Sequence, residues 1–137
     1  MGPYATIQFM QNVLDRTPAN KDWEHVRMVV DNNNHIPSRT RAILYDEASP
    51  LPGMVDSCKR LQAYPVDVIA LPCNSACHWL KDLRTNIKTP ILDIVGIAAQ
   101  KLLSQENVCR VAALSGHVPH QTNLYGSVIE QFGGQPV

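Results

Sequence analysis

Ala70-Leu71-Pro72-Cys73-Asn74-Ser75-Ala76-Cys77-His78-Trp79 marks the passage from a buried strand into a helix. The apolar run that leads into it, Val66, Val68, Ile69, Ala70 and Leu71, reads as a strand buried in a sheet. Beyond it, Ala76, Trp79, Leu80 and Leu83 fall at i, i+3, i+4 and i+7, one face of a helix. Cys73 therefore stands where the strand ends and the helix begins. There, free backbone N–H groups and the helix dipole favour an anion, a thiolate included. Asn74 and Ser75 add short polar side chains to the same turn. An inert core cysteine ending a strand is the common alternative. The flanking Asn-Ser pair, at a place that faces solvent or ligand, favours chemistry.

Elsewhere helical and strand-like patterns alternate. Ile7, Met10, Val13 and Leu14 share a helical face that Pro18 closes, and Val26, Met28, Val29 and Val30 form a short strand. Asp31 through Arg41 is a polar loop with a helix start near Ser38. Ser49-Pro50 is a cap and first-turn signal for an amphipathic helix carrying Leu51, Met54, Val55, Cys58 and Leu61. Pro90–Ile94 reads as a buried strand and 95–103 as a helix, and Val108–Leu114 is a further strand. Leu124, Val128, Ile129 and Phe132 give a last helix, stopped by Gly133-Gly134. Strands separated by helices predict parallel βαβ units and an α/β fold.

The chain of 137 residues is enough for one ordinary domain. Its 45% hydrophobic and 18% charged residues belong to a globular protein, not a disordered one. Twelve basic and twelve acidic side chains cancel, which argues against a nucleic-acid partner. No apolar run approaches the length of a membrane span, and the start lacks a signal-peptide pattern. Met1-Gly2-Pro3-Tyr4-Ala5-Thr6 satisfies the loose myristoylation pattern, but Gly-Pro there reads as a loop and no second membrane signal accompanies it. Cys58, Cys73, Cys77 and Cys109 are too few and too scattered for a disulfide scaffold, so a reducing, cytoplasmic setting is expected. Cys58 and Cys109 read as small core residues.

In α/β folds ligands gather beyond the carboxyl ends of the strands. Three polar clusters occupy such places: Asp31-Asn32-Asn33-Asn34 with Arg39, Cys73-Asn74-Ser75, and Ser115-Gly116-His117. Three hydrophilic loops are the bland reading. One site built from three loops is the sharper one, with Arg39 as a carboxylate clamp and Cys73 as the reactive atom. A metal is not expected: Cys73 and Cys77 make only a lone CxxxC, and His117 and His120 have no carboxylate or cysteine nearby in sequence. His25, His35 and His78 read as surface or hydrogen-bonded loop residues.

With these residues in view, the chain resembles the aspartate/glutamate racemase family, amino-acid racemases that work without pyridoxal phosphate. Met1-Gly2-Pro3-Tyr4-Ala5-Thr6 resembles the family's Gly-Gly-Met-Gly-Pro-x-Ala-Thr turn. Asp31-Asn32-Asn33 through Ile36-Pro37-Ser38-Arg39-Thr40 is similar to its Asp-Asn-Asn-Pro-x-Ile-Pro-x-Arg-Thr loop. Pro72-Cys73-Asn74-Ser75-Ala76 resembles its Pro-Cys-Asn-Thr-Ala motif, and Tyr125 through Gly133 is similar in spacing to the helix that opens the second lobe. Two departures stand out. Cys77 takes the place of the family's usual His, and Gly116-His117-Val118-Pro119 replaces its Thr-x-Gly-Thr turn, leaving His117, Thr122 or no side chain in the role of that hydroxyl.

The resemblance implies two similar α/β lobes with the substrate between them, each lobe presenting one cysteine to an opposite face of the Cα. Residues 1–104 would form the first lobe without its first strand, and 105–137, after a boundary at Gln105-Glu106-Asn107, the beginning of the second. In that family's fold the absent strand lies between the strands at 26–30 and 66–73. The implied activity is cofactor-independent racemisation of aspartate or glutamate. Cys73 would be the base, Asn74 and Ser75 would hold the α-carboxylate, and Arg39 the side-chain carboxylate. Thr6 and the Met1-Gly2-Pro3 turn would line the floor. The expected partners are an acidic amino acid, the remainder of the protein carrying the second cysteine, and a second copy in a homodimer. Two rival readings stay open: a dicarboxylate isomerase or decarboxylase of the same fold, using one cysteine as proton donor or nucleophile, and a racemase-like lobe without turnover.

Overall fold

The computed structural model describes residues 2–105 and 107–137. Among the described residues seven α-helices form: α1 (Pro3–Arg16), α2 (Arg39–Tyr45), α3 (Leu51–Gln62), α4 (Leu80–Asn86), α5 (Ile94–Leu103), α6 (His117–Gln121) and α7 (Leu124–Gln131). Pro3 opens α1 at its first position, where a missing N–H costs nothing. The Gly-Pro pair is thus a helix start, not the loop expected from sequence. Ser38 caps α2, its hydroxyl accepting from the Arg41 N–H at 3.2 Å. Asp93 caps α5 in the same way, accepting from Gly96 N at 2.9 Å. Gly133 follows α7 with φ of 81°, a left-handed turn that glycine adopts without a Cβ penalty. Two 3-10 helices complete the set, Asp22–Glu24 and Asn74–Trp79.

The sheet is parallel and sparse. Ile69 bridges Ile91: its N–H donates to the Pro90 carbonyl at 2.8 Å and its carbonyl accepts from Leu92 N at 2.9 Å. A second parallel pair joins β1 (Arg110–Val111) to β2 (Gln135–Pro136). Ile69, Leu71 and Ile91 pack with Met54 and Cys58 of α3 and with Leu80 and Leu83 of α4, forming the core of an α/β lobe. Burying these side chains supplies the main driving force, about 25 cal/mol per Å² of apolar surface.

Several expectations are corrected. Residues 26–30 belong to no strand, and the strand expected over 108–114 narrows to 110–111. Cys109 is exposed, not a core residue. The polar stretch at Ser115-Gly116-His117 runs into α6, which buries Val118 and Pro119. Of the boundary at 105–107, Glu106 lies outside the described residues.

The unpaired 26–30 segment has a physical context. Because Ile69 directs its N–H and C=O toward residues 90–92, alternation directs those of Val68 and Ala70 to the other side of the strand. Among the described residues, neither Val68, Ala70 nor Val26–Val30 makes a backbone–backbone hydrogen bond. Between these two edges runs a groove of about 580 Å³. Phe9, Met10 and Val13 of α1 and Met54, Cys58 and Leu61 of α3 line it. Two segments without backbone pairing among the described residues thus line the same apolar groove.

Candidate active site

Cys73 is the N-cap of the 3-10 helix, with φ −156° and ψ 108°, so its backbone is still that of a strand. Its N–H donates back to the Leu71 carbonyl at 2.7 Å, and its own carbonyl accepts from Ala76 N at 3.1 Å. These two bonds make the turn that the sequence placed here. The helix that follows begins as 3-10 and becomes α only at Leu80, because the tight turn is set over Asn74–Trp79. Ala76, Leu80 and Leu83 are buried and Trp79 is half-buried, as the i, i+3, i+4, i+7 pattern requires. Cys73 itself is half-buried, Asn74 is exposed and Ser75 is half-buried.

Arg39 opens α2, which packs against the 3-10 helix. One end of its guanidinium is fixed: Nη1 donates to the Pro37 carbonyl at 3.0 Å and to the Ile36 carbonyl at 3.3 Å. Its Nε is buried and has no hydrogen-bond partner among the described residues. A buried N–H of a charged group left without an acceptor is costly, and an anion is the ordinary way to satisfy it. His25 Nδ1 is likewise buried without a partner, against the expectation of a hydrogen-bonded loop histidine. Asp31 does not pair with Arg39. Its carboxylate takes both Nε and Nη2 of Arg60, at 3.1 and 2.9 Å, and Arg60 also reaches Asp56. Asn33 donates to the Ser57 hydroxyl at 3.2 Å. The 31–33 loop is therefore tied down on α3.

The helix that Arg39 opens, α2, and the helix that follows Ser115-Gly116, α6, both pack on the 3-10 helix that Cys73 caps. The 31–33 loop reaches the same neighbourhood by way of the groove, where Thr6, Asn32, Asn33 and Pro72 line one cavity. Arg39, Cys73, Asn74 and Ser75 are not among the groove's lining residues. Thr6 spends its hydroxyl on the Gly2 carbonyl at 3.3 Å within α1. Gly2 is the exposed N-cap of α1, with open space where a Cβ would stand, and Met1 lies outside the described residues. His117 is exposed, and the Thr122 hydroxyl is engaged by the Val118 carbonyl at 2.9 Å. Among the described residues no group of three His, Cys, Asp or Glu side chains is arranged to hold a metal.

Two features escaped the sequence. Tyr125, at the first turn of α7, accepts a hydrogen bond from Asn74 Nδ2 at 2.6 Å. Cys77, on the 3-10 helix, points its thiol back at the Cys73 carbonyl, 3.9 Å away. Burial first, then the charges of Asp93 and Cys73, push Cys77 up to about 11, while the Val95 backbone and Arg84 pull it down. Burial and Asp31 push Cys58 up to about 11 as well. Alkylation of both by iodoacetamide is expected to be slow at pH 8 and to rise about tenfold per pH unit toward pH 11. Half-maximal labelling at about 8.5, the ordinary thiol value, would contradict that burial. The stability these two thiols contribute by staying protonated is whole below the ordinary value and is lost as pH rises toward about 11.

The model of the family described as Asp/Glu/Hydantoin racemase matches residues 1–137. The chain is 29% identical over 142 residues to the broad specificity amino-acid racemase RacX of Bacillus subtilis (strain 168), covering all of this chain and 60% of that protein. Among solved structures, the aspartate racemase of Picrophilus torridus matches with a TM-score of 0.85 at 26% identity, over 99% of this chain and 58% of that one. An aspartate racemase homologue from Pyrococcus horikoshii OT3 shares the fold with a TM-score of 0.78 at 14% identity, over 98% and 59% of the two chains. The chain thus spans about 60% of the length of the relatives it matches.

Proposed function

Since this chain belongs to the Asp/Glu/Hydantoin racemase family, we propose that it forms the Cys73-bearing part of a racemase that moves the α-proton of an acidic amino acid without a cofactor. Removing that proton is hard, because the carbanion forms beside an unstabilised ammonium. With no electron sink in the protein, the barrier falls only by positioning and by hydrogen bonds to the carboxylate as it becomes enediolate-like. In this reading the Cys73 thiolate takes the proton from one face of the Cα, and the C–H electron pair delocalises into the carboxylate. Asn74 and Ser75, in the turn that begins at Cys73, hold that carboxylate. A second thiol, supplied by the remainder of the protein, returns a proton to the opposite face and inverts the centre. Thr6 and the Gly2-Pro3 start of α1 border the floor.

The observation that carries the reading is Arg39. It sits on a helix packed against the Cys73 turn, with one nitrogen anchored on two carbonyls and a buried Nε unmatched. A planar fork held from behind suits the distal carboxylate of aspartate or glutamate, which accepts two parallel hydrogen bonds. Arg39→Lys keeps the charge and loses the fork. In the complete protein it is expected to weaken binding of aspartate and glutamate roughly ten- to a hundredfold, the worth of a charge-assisted hydrogen bond. Thermal stability should change little by comparison. Isothermal titration of both amino acids against the variant checks this, and unchanged affinity would remove Arg39 from the site.

A further inference from the structure

Asn74 is exposed and stands one residue from the reactive thiol, yet a carboxamide on an exposed turn has little to fix its orientation. Its terminal torsion is broad and roughly two-fold, so an unrestrained Asn74 presents oxygen to a carboxylate as readily as nitrogen. Here the amide is restrained from outside its own turn. Nδ2 lies 2.6 Å from the Tyr125 hydroxyl, a contact between residues 51 apart in sequence.

Tyr125 is itself well fixed. It is half-buried on α7, between the buried Gly126 and the N-cap Asn123, whose φ of 49° is the left-handed conformation that asparagine tolerates. A Cβ at position 126 would meet the Asn123 side chain, so glycine there leaves that side chain undisturbed at the start of α7. Ile129, one helical turn further on, is buried, and α7 packs against α5 and α6, both of which also touch the 3-10 helix. Burial, with the Cys77 charge adding, pushes the Tyr125 phenol up, so it remains a neutral hydroxyl.

We propose that Tyr125 is a positioning residue that holds the Asn74 amide with its N–H donors toward the substrate carboxylate. One hydrogen of Nδ2 is taken by the phenol oxygen and the other is left for the substrate. The proposal rests on the racemase reading of the site. It extends that reading by making α7, beyond the Cys73 lobe, part of the carboxylate-binding machinery. Tyr125→Phe removes only the hydroxyl and leaves the ring packing.

The test uses the complete protein in four forms: wild type, Tyr125→Phe, Asn74→Ala and the double variant. The probe is alkylation of Cys73 by iodoacetate, which carries a carboxylate, against iodoacetamide, which does not, followed by mass spectrometry. In Tyr125→Phe the iodoacetate-to-iodoacetamide rate ratio is expected to fall about fivefold, the worth of one hydrogen bond. Adding the change to the Asn74→Ala protein should lower the ratio no further, since Tyr125 acts through Asn74. The KM for aspartate should rise by a similar factor, while the unfolding temperature stays at the wild-type value. A wild-type ratio in Tyr125→Phe, or a further fall in the double variant, would overturn the proposal. Absence of α-proton exchange in the wild type would instead defeat the racemase reading, and the alkylation ratio would still decide the role of Tyr125.

Discussion

Cys73→Ser in the complete protein is expected to lower racemisation of aspartate and glutamate by roughly 10²–10⁴-fold, the usual worth of a positioned proton-transfer group. Serine is smaller by little and keeps the N-cap conformation, in which the residue's backbone, not its side chain, makes the turn. The fold should therefore survive, and the loss should lie in turnover. What serine lacks is basicity: its hydroxyl does not ionise where a thiol does. The defect should be one-sided. α-Deuterium exchange from the enantiomer whose proton faces Cys73 should vanish, while the opposite enantiomer still exchanges with the second thiol. Normal exchange from both enantiomers in this variant would remove Cys73 from the mechanism.

The second large effect concerns the groove. Among the described residues, the backbones of residues 26–30 on one side and of Val68 and Ala70 on the other make no backbone–backbone hydrogen bond, and an apolar gap of about 580 Å³ lies between them. Each unmade pairing in a buried sheet costs on the order of 1 kcal/mol or more, and exposed edges invite association. Residues 1–137 produced by themselves are therefore expected to unfold over a broad range, to bind a hydrophobic dye and to racemise nothing. The complete protein should unfold cooperatively, with an extended segment filling the gap between the two edges. Calorimetry and α-deuterium exchange on both proteins decide the matter. A sharp transition together with racemisation by residues 1–137 would sink both the strand-filled groove and the two-thiol mechanism.

Helices were legible because their signals are local. The apolar spacing over Leu51–Leu61, the hydroxyls of Ser38 and Ser49, and Gly133 after the last helix each mark a boundary within a few residues of where it falls. Strands were legible only as extended segments, because a strand exists through its partner. Residues 26–30 carry the right side chains, yet among the described residues no neighbour pairs with them. Gln135–Pro136 carries nothing strand-like and pairs with β1 because the chain returns beside Arg110 after α7. The short helix α6 was hidden by Gly116 before it and Pro119 within it, both turn signals in isolation.

The site divides along the same line. The Cys73 turn and the α2 cap were readable from adjacent residues. That Asp31 belongs to Arg60, 29 positions away, and that Asn74 belongs to Tyr125 were not, because no periodicity encodes such contacts. The thiol of Cys77 carried no signal beyond its departure from the family's usual histidine.

The most direct test of thiol-based, cofactor-independent proton transfer is α-proton exchange in D₂O by the complete protein, freed of pyridoxal phosphate. L- and D-aspartate and L- and D-glutamate are each followed by proton NMR before and after alkylation confined to Cys73. Deuterium is expected at the Cα of both enantiomers of an acidic amino acid, with loss of exchange from one of them once Cys73 is blocked. Absence of exchange from every acidic amino acid, or undiminished exchange after complete alkylation of Cys73, would contradict that mechanism.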